Sequence, residues 1–225
     1  MMINNYDIQP VGSRERIQFC CTRCGDCCRH VREAVLLESF DAYQLAKFLR
    51  QSDPSIKYVE DVLLRYATPE PLTDSGFPIY LLKVWGDDDA CVFLKDNRCS
   101  IYPVRPRACR LYPLTLDIDK DGQFQYLLCR EKPHHFVGGD IRVRDWVREH
   151  FKREYQEFVR AEYDLLPELG RIVKRIDEGN LPRMIVEALF RRYYNYDLDA
   201  PFMPQYKENM AQLRKRLTEL AANTR

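Results

Sequence analysis

Phe19-Cys20-Cys21-Thr22-Arg23-Cys24-Gly25-Asp26-Cys27-Cys28 puts five cysteines within nine residues, and the reading of this stretch decides what kind of fold the chain has. Nine cysteines occur in all; the others are Cys91, Cys99, Cys109 and Cys129. A secreted disulfide framework uses an even number of cysteines spread through a small chain behind a signal peptide. Here the count is odd, the chain has 225 residues, and the opening MMINNYDIQPVGSRERIQF has no apolar core of the signal-peptide kind. No segment approaches the roughly 18 apolar residues of a membrane span. The expectation is a cytoplasmic protein whose free thiols are gathered to bind metal or to do redox chemistry.

Composition sets the frame around that cluster. With 45% hydrophobic and 31% charged residues the chain reads as a soluble globule, large enough for one domain with an appendage or for two small lobes. Residues 1–140 carry a net charge of −2 and residues 141–225 one of +3. That asymmetry is too small for the basic face of a nucleic-acid binder. Neither nucleic acid nor membrane is expected as a partner, which leaves a protein or a small molecule.

The chain divides by pattern. The segment to Phe19 reads as extended. Phe40, Tyr43, Leu45, Ala46, Phe48 and Leu49 recur at helical spacing within 38–50, and a second helix is expected over 54–66. Pro78–Trp85 and Ala90–Leu94 read as two strands around a Gly-Asp-Asp-Asp link, and Leu114–Ile118 with Phe124–Leu128 as a hairpin around Asp121-Gly122. Beyond Gly138-Gly139 the pattern is helical: one stripe over 141–163 broken near Pro167, helices over 167–178 and 182–194 that each begin at a proline, and a last one carrying Met210, Leu213, Leu217 and Leu220. The fold expected is α+β, a cysteine-rich metal-binding lobe of short hairpins and helices over 1–138, with a mainly helical region over 139–225 packed on it.

Cys21, Cys24 and Cys27 have the spacing C-x2-C-x2-C, which lets one loop wrap a metal or cluster with three thiolates. It opens the bacterial ferredoxin run, yet no Cys-Pro follows four residues later, so the ferredoxin fold is disfavoured. A zinc ribbon would need a second C-x2-C some 15 to 20 residues on, and none is present. In extended backbone, neighbours such as Cys27 and Cys28 point in opposite directions and would serve different sites. With Cys20 set aside, Cys21, Cys24, Cys27, Cys28, Cys91, Cys99, Cys109 and Cys129 are eight candidate ligands, enough for two four-thiolate sites, with His30, His134 or His135 as possible replacements. Triple C-x2-C-x2-C spacing favours an iron–sulfur cluster, held by Cys21, Cys24, Cys27 and one distant cysteine; zinc is the alternative.

The motif Phe19-x-Cys21-x-x-Cys24-Gly25-x-Cys27-Cys28 is followed by Cys91-x-Phe93-Leu94 and then by Cys99-x-Ile101-Tyr102-x-x-Arg105-Pro106-x-x-Cys109-Arg110-x-Tyr112-Pro113. Together these resemble the YkgJ-like cysteine-cluster family of zinc- or iron-chelating domains, over about Phe19 to Cys129. The resemblance implies metal chelation, an iron–sulfur (4Fe-4S) oxidoreductase role in some members, and protein-lysine methylation in some relatives. Non-catalytic zinc binding, with the helices as a partner surface, is the competing class.

Three arginines of the second block, Arg105, Arg107 and Arg110, could stand near anionic thiolates. Arg105 and Arg110 are the candidates for gripping a carboxylate or phosphate substrate, against the plainer alternative of salt bridges that fasten the loop. Asp117-x-Asp119-x-Asp121-Gly122 copies half an EF-hand loop, but position twelve is Leu128, so it reads as a hairpin turn. Asp87-Asp88-Asp89 reads as a solvated link, His134-His135 as an exposed pair, and Arg191-Arg192-Tyr193-Tyr194 as helix packing. No phosphate loop, dinucleotide fingerprint or G-x-S-x-G elbow occurs.

Overall fold

The structure is a computed structural model that describes residues 8–72 and 76–222. The N-terminal segment read as extended forms β1 (Ile8–Val11) and β2 (Arg16–Ile17); its residues 1–7 lie outside the described residues. Helix α1 (Ser39–Leu49) follows the periodicity, burying Phe40, Ala42, Tyr43, Leu45 and Ala46. Helix α2 (Val59–Tyr66) begins later than Pro54. The Asp53 carboxylate accepts the Ser55 N–H at 3.0 Å and holds a turn, and Asp61 accepts the N–H groups of Lys57 and Tyr58 at 2.8 and 2.9 Å, which caps the first helical turn at Val59.

Strands β3 (Ala67–Pro71) and β4 (Pro78–Leu82) pair antiparallel, Ala67 opposite Leu82. The pattern joins 78–85 to 90–94; among the described residues only β5 (Val84–Trp85) meets β6 (Ala90–Cys91), with Val84 opposite Cys91. Strand β3 escapes a sequence reading because Ala-Thr-Pro-Glu-Pro is poor in strand formers, and its partner β4 supplies the order. A tight hairpin joins β7 (Leu94–Lys95) to β8 (Arg98–Cys99) through Asp96 and Asn97, both with positive φ. After α3 (Arg107–Leu111), β9 (Leu114–Ile118) and β10 (Phe124–Cys129) form the hairpin, and β1 adds to β10 to give the order β1-β10-β9. Asp119 spends its carboxylate on the turn, accepting the N–H groups of Asp121 and Gln123 at 2.9 Å each.

Strand β11 (Ile141–Arg142) pairs with β2, and four helices follow: α4 (Val143–His150), α5 (Arg153–Val173), α6 (Leu181–Leu189), which a π-turn extends over 190–194, and α7 (Phe202–Ala222). The expected break near Pro167 is displaced. The chain breaks at Phe151, whose ring is buried against Phe124 at 5.2 Å, and Pro167 lies inside α5. The apolar stripe of α5 continues on both sides of the proline, through Phe158 and Leu169, so burial outweighs the roughly 3 kcal/mol an internal proline costs.

The architecture is α+β. One cluster of buried apolar residues runs from Ile17 to Leu217, with Phe40 of α1 at its centre, 4.3 Å from Tyr155 and 4.7 Å from Phe202 between ring centroids. Among the described residues no helix is long and apolar enough to cross a membrane.

Candidate metal centre

The first cysteine loop is shaped by Gly25. Its φ of 83° is left-handed, and a Cβ there would lie 2.7 Å from the Asn97 carbonyl oxygen, so only glycine lets the loop rest on the β7–β8 turn. Asp26–Cys28 then forms a 3-10 turn, closed by the Cys28 N–H donating to the Gly25 carbonyl at 2.9 Å. The Gly-Asp-Asp-Asp link fastens the far end of this loop: His30 and Val31 donate backbone N–H groups to the carbonyls of Asp88 and Asp89, and Arg29 and Arg32 pair with those two carboxylates. A segment read as a solvated link thus positions the cysteines.

The second block comes from three elements. Cys91 stands on β6, Cys99 ends β8 and Cys109 lies in α3. One cavity collects Cys21, Cys24, Cys27, Cys28, Cys91, Cys99 and Cys109, together with Arg105 and His135. Phe19, Tyr112 and Trp146 form an apolar wall, with the Phe19 ring 5.8 Å from Tyr112 and 5.4 Å from Trp146. Cys129 is not among the lining residues; it closes β10 opposite Ile8. Cys20 is also outside, its N–H donating to the His135 carbonyl at 3.2 Å. Cys27 and Cys28 do not diverge as extended neighbours would. The 3-10 turn aims both into the cavity, because its residues step by a third of a turn rather than by half.

The thiols differ in acidity. Hydrogen bonding from Cys28 holds Cys27 and Cys99 down at about 7, with the positive charge of Arg105 acting in the same direction. Cys28 is pushed up by those same two bonds, and burial pushes Cys91 and Cys109 up. All nine cysteines are free. The inner group of Cys27, Cys28, Cys91, Cys99 and Cys109 is therefore a set of soft donors in mutual contact or electrostatic reach, two of them primed to be thiolates near neutral pH, which is the chemistry that zinc and iron–sulfur centres require. The residues fit a metal.

The sequence reads His135 as exposed, whereas it is buried, at 4% exposure. Its Nδ1 is 2.9 Å from the Tyr112 hydroxyl and its Nε2 is 3.2 Å from the Cys24 Sγ. The signal that could have singled it out is Pro133: a proline at the start of a 3-10 turn over Pro133–Phe136 presents the two following histidines on a defined backbone instead of a loose loop.

The arginines divide. Arg105 faces the cavity; its guanidinium lies 3.7 Å from the Tyr102 ring centre, Arg23 lies 4.2 Å from the same ring, and the Arg105 Nε is buried without a hydrogen-bond partner among the described residues. Arg110 does not line the cavity. It donates to the Arg105 carbonyl at 2.8 Å and to the Tyr155 hydroxyl at 2.5 Å, so it fastens the loop to α5. Arg107 makes a two-pronged bond to Glu38 at 2.7 and 2.8 Å, and its N–H donates to Asp41.

Comparison with known proteins agrees with this geometry. No curated protein and no solved structure matches the chain. One family model does, CxxCxxCC, described as "Putative zinc- or iron-chelating domain", over residues 20–135. The match takes in the seven cavity cysteines, Arg105 and both histidines of the 3-10 turn. With just over half of its length covered, the chain belongs to this family of metal-chelating cysteine-cluster domains.

Proposed function

We propose that the inner thiols Cys27, Cys28, Cys91, Cys99 and Cys109 hold an iron–sulfur cluster, and that the protein uses it in redox chemistry on an anionic substrate or partner group. The observation that carries this reading is the convergence of seven cysteines, from two blocks far apart in sequence, on one cavity that stays open at its rim. A structural zinc site is closed by four ligands, and this many soft donors on an accessible cavity exceeds that need. Bound there, such a cluster would supply one-electron transfer.

The chain's own residues do the rest. Arg105 offers its charge beside Cys27 and Cys99, which favours their thiolate forms. Phe19, Tyr112 and Trp146 give the cavity an apolar wall. Arg23 and Arg105 at the rim attract a carboxylate or phosphate and repel an ammonium, which supports electron transfer over methyl transfer to a lysine. Protein purified without oxygen should contain iron and acid-labile sulfide, and its visible absorbance should bleach with dithionite; a colourless protein holding only zinc overturns the reading.

A zinc-holding, non-catalytic module is the second reading. One observation favours it, the contact of Cys24 with His135, because mixed sulfur and nitrogen ligation is zinc chemistry.

A further inference from the structure

We propose that Cys24, Asp26, His134 and His135 form a second metal centre, separate from the inner thiols, that takes one divalent ion of the zinc class. One ligand atom from each of the four lies within 4.8 Å of every other. Two of the pairs are closer still: Cys24 Sγ to His135 Nε2 at 3.2 Å, and His134 Nε2 to Asp26 Oδ2 at 2.8 Å. Zinc bonds of about 2.0 to 2.3 Å place tetrahedral ligand atoms roughly 3.5 Å apart, so this spread needs only a small contraction around an ion.

The donor set separates this site from the inner one. One sulfur, two nitrogens and one oxygen suit a borderline ion such as zinc, whereas iron–sulfur clusters take thiolates. His135 already has the support such a ligand uses: Tyr112 engages its Nδ1, which fixes the ring and leaves Nε2 aimed at Cys24. The backbone brings the four together. Gly25 turns the first loop so that Cys24 and Asp26 flank it, the 3-10 turn at Pro133–Phe136 sets the two imidazoles edge to face with ring centres 4.2 Å apart, and the Cys20-to-His135 backbone bond ties the two segments. Gly139 permits the close approach, since a Cβ there would lie 2.6 Å from the Phe19 carbonyl oxygen.

Position gives the ion its role. Asp26 and His134 are 41% and 54% exposed while His135 is buried, so the site lies on the rim and bridges the first cysteine loop to the segment after β10. An ion there clasps the mouth of the cavity, and Cys24 belongs to this clasp rather than to the inner group. The inference stands whether the inner thiols hold iron or not.

The test uses the full chain, loaded with excess Zn2+ and desalted, with zinc counted by mass spectrometry and its ligand shell read by X-ray absorption. A zinc population with one sulfur and three nitrogen or oxygen neighbours is expected. The double variant D26A/H134A should lose that population while the metal of the inner thiols stays, and Tyr112→Phe should weaken zinc binding by about tenfold or more. A shell of sulfur alone, no zinc retained, or equal zinc in wild type and double variant overturns the proposal. If the double variant does not fold, His134→Gln, a change at a half-exposed side chain, is titrated with Co2+. Loss of the mixed-ligand cobalt bands, with the thiolate-to-cobalt bands of the inner thiols kept, supports the site, and an unchanged spectrum overturns it.

Discussion

Asp41 shows how a single buried residue ties the cavity to the helices. It is 1% exposed, yet it accepts the Arg107 N–H at 3.0 and 3.1 Å and the Tyr155 hydroxyl at 3.0 Å, with Arg110 3.6 Å away. Burial and the neighbouring Glu38 outweigh those partners and push its carboxyl up to about 7. An unfolded Asp titrates near 3.9, so between about pH 4 and pH 7 the folded chain holds a proton that the unfolded chain has released. The contribution of Asp41 to stability is therefore fully present at the acid end of that window and falls as pH rises through it. Compared by urea unfolding across the window, wild type should lose stability relative to Asp41→Asn as pH increases; a constant difference would show that the carboxyl does not titrate there. The same reasoning explains why Asp41 could not be picked out from the sequence. On α1 it is one acidic residue beside apolar neighbours, and only the arrival of the Arg105–Arg110 block makes it a junction.

At the scale of elements, α3 and its flanking loop are held by arginines of unequal purpose. Arg107 and Glu38 are 18% and 15% exposed and bonded at two points, so Arg107→Ala leaves a carboxylate half-stranded against α1 and should cost about 3 kcal/mol. Arg105→Ala removes a side chain that stacks on Tyr102 and makes no ion pair among the described residues, and should shift stability by under about 1 kcal/mol. Chemical denaturation of the two variants checks this contrast, which also separates a fastening arginine from one left free at the cavity. The arginine block announces a functional wall in the sequence. Which guanidinium faces inward depends on whether a carboxylate waits on α1, and Glu38 and Asp41 are some 70 residues upstream of the block they anchor.

For the whole molecule, the aromatic cluster decides cooperativity. Phe202, 1% exposed, meets Phe40, Tyr43, Tyr196 and Tyr206 with ring centres between 4.7 and 5.6 Å, joining α7 to α1. Phe202→Ala should cost about 3 to 5 kcal/mol, a large part of the roughly 5 to 15 kcal/mol that holds a typical domain. Because the core is shared, far-UV circular dichroism and the fluorescence of Trp85 and Trp146 should report one coincident transition in wild type and variant alike. Two transitions would mean that the cysteine lobe and the helices fold apart. What the sequence by itself determined was the donor chemistry: spacing and ligand type mark Cys21 to Cys28 and Cys91 to Cys129 as candidate metal ligands, and periodicity marks the helices, because both are local properties of the chain. The tertiary structure alone decided where each candidate donor stands. It turned Cys28 inward on a 3-10 turn, left Cys129 outside the cavity, buried His135 beside Cys24, and committed Arg110 to α5. Those outcomes rest on where distant segments meet, and a ligand or a fastening bond exists only once its partner, brought by another part of the chain, is within about 3 Å.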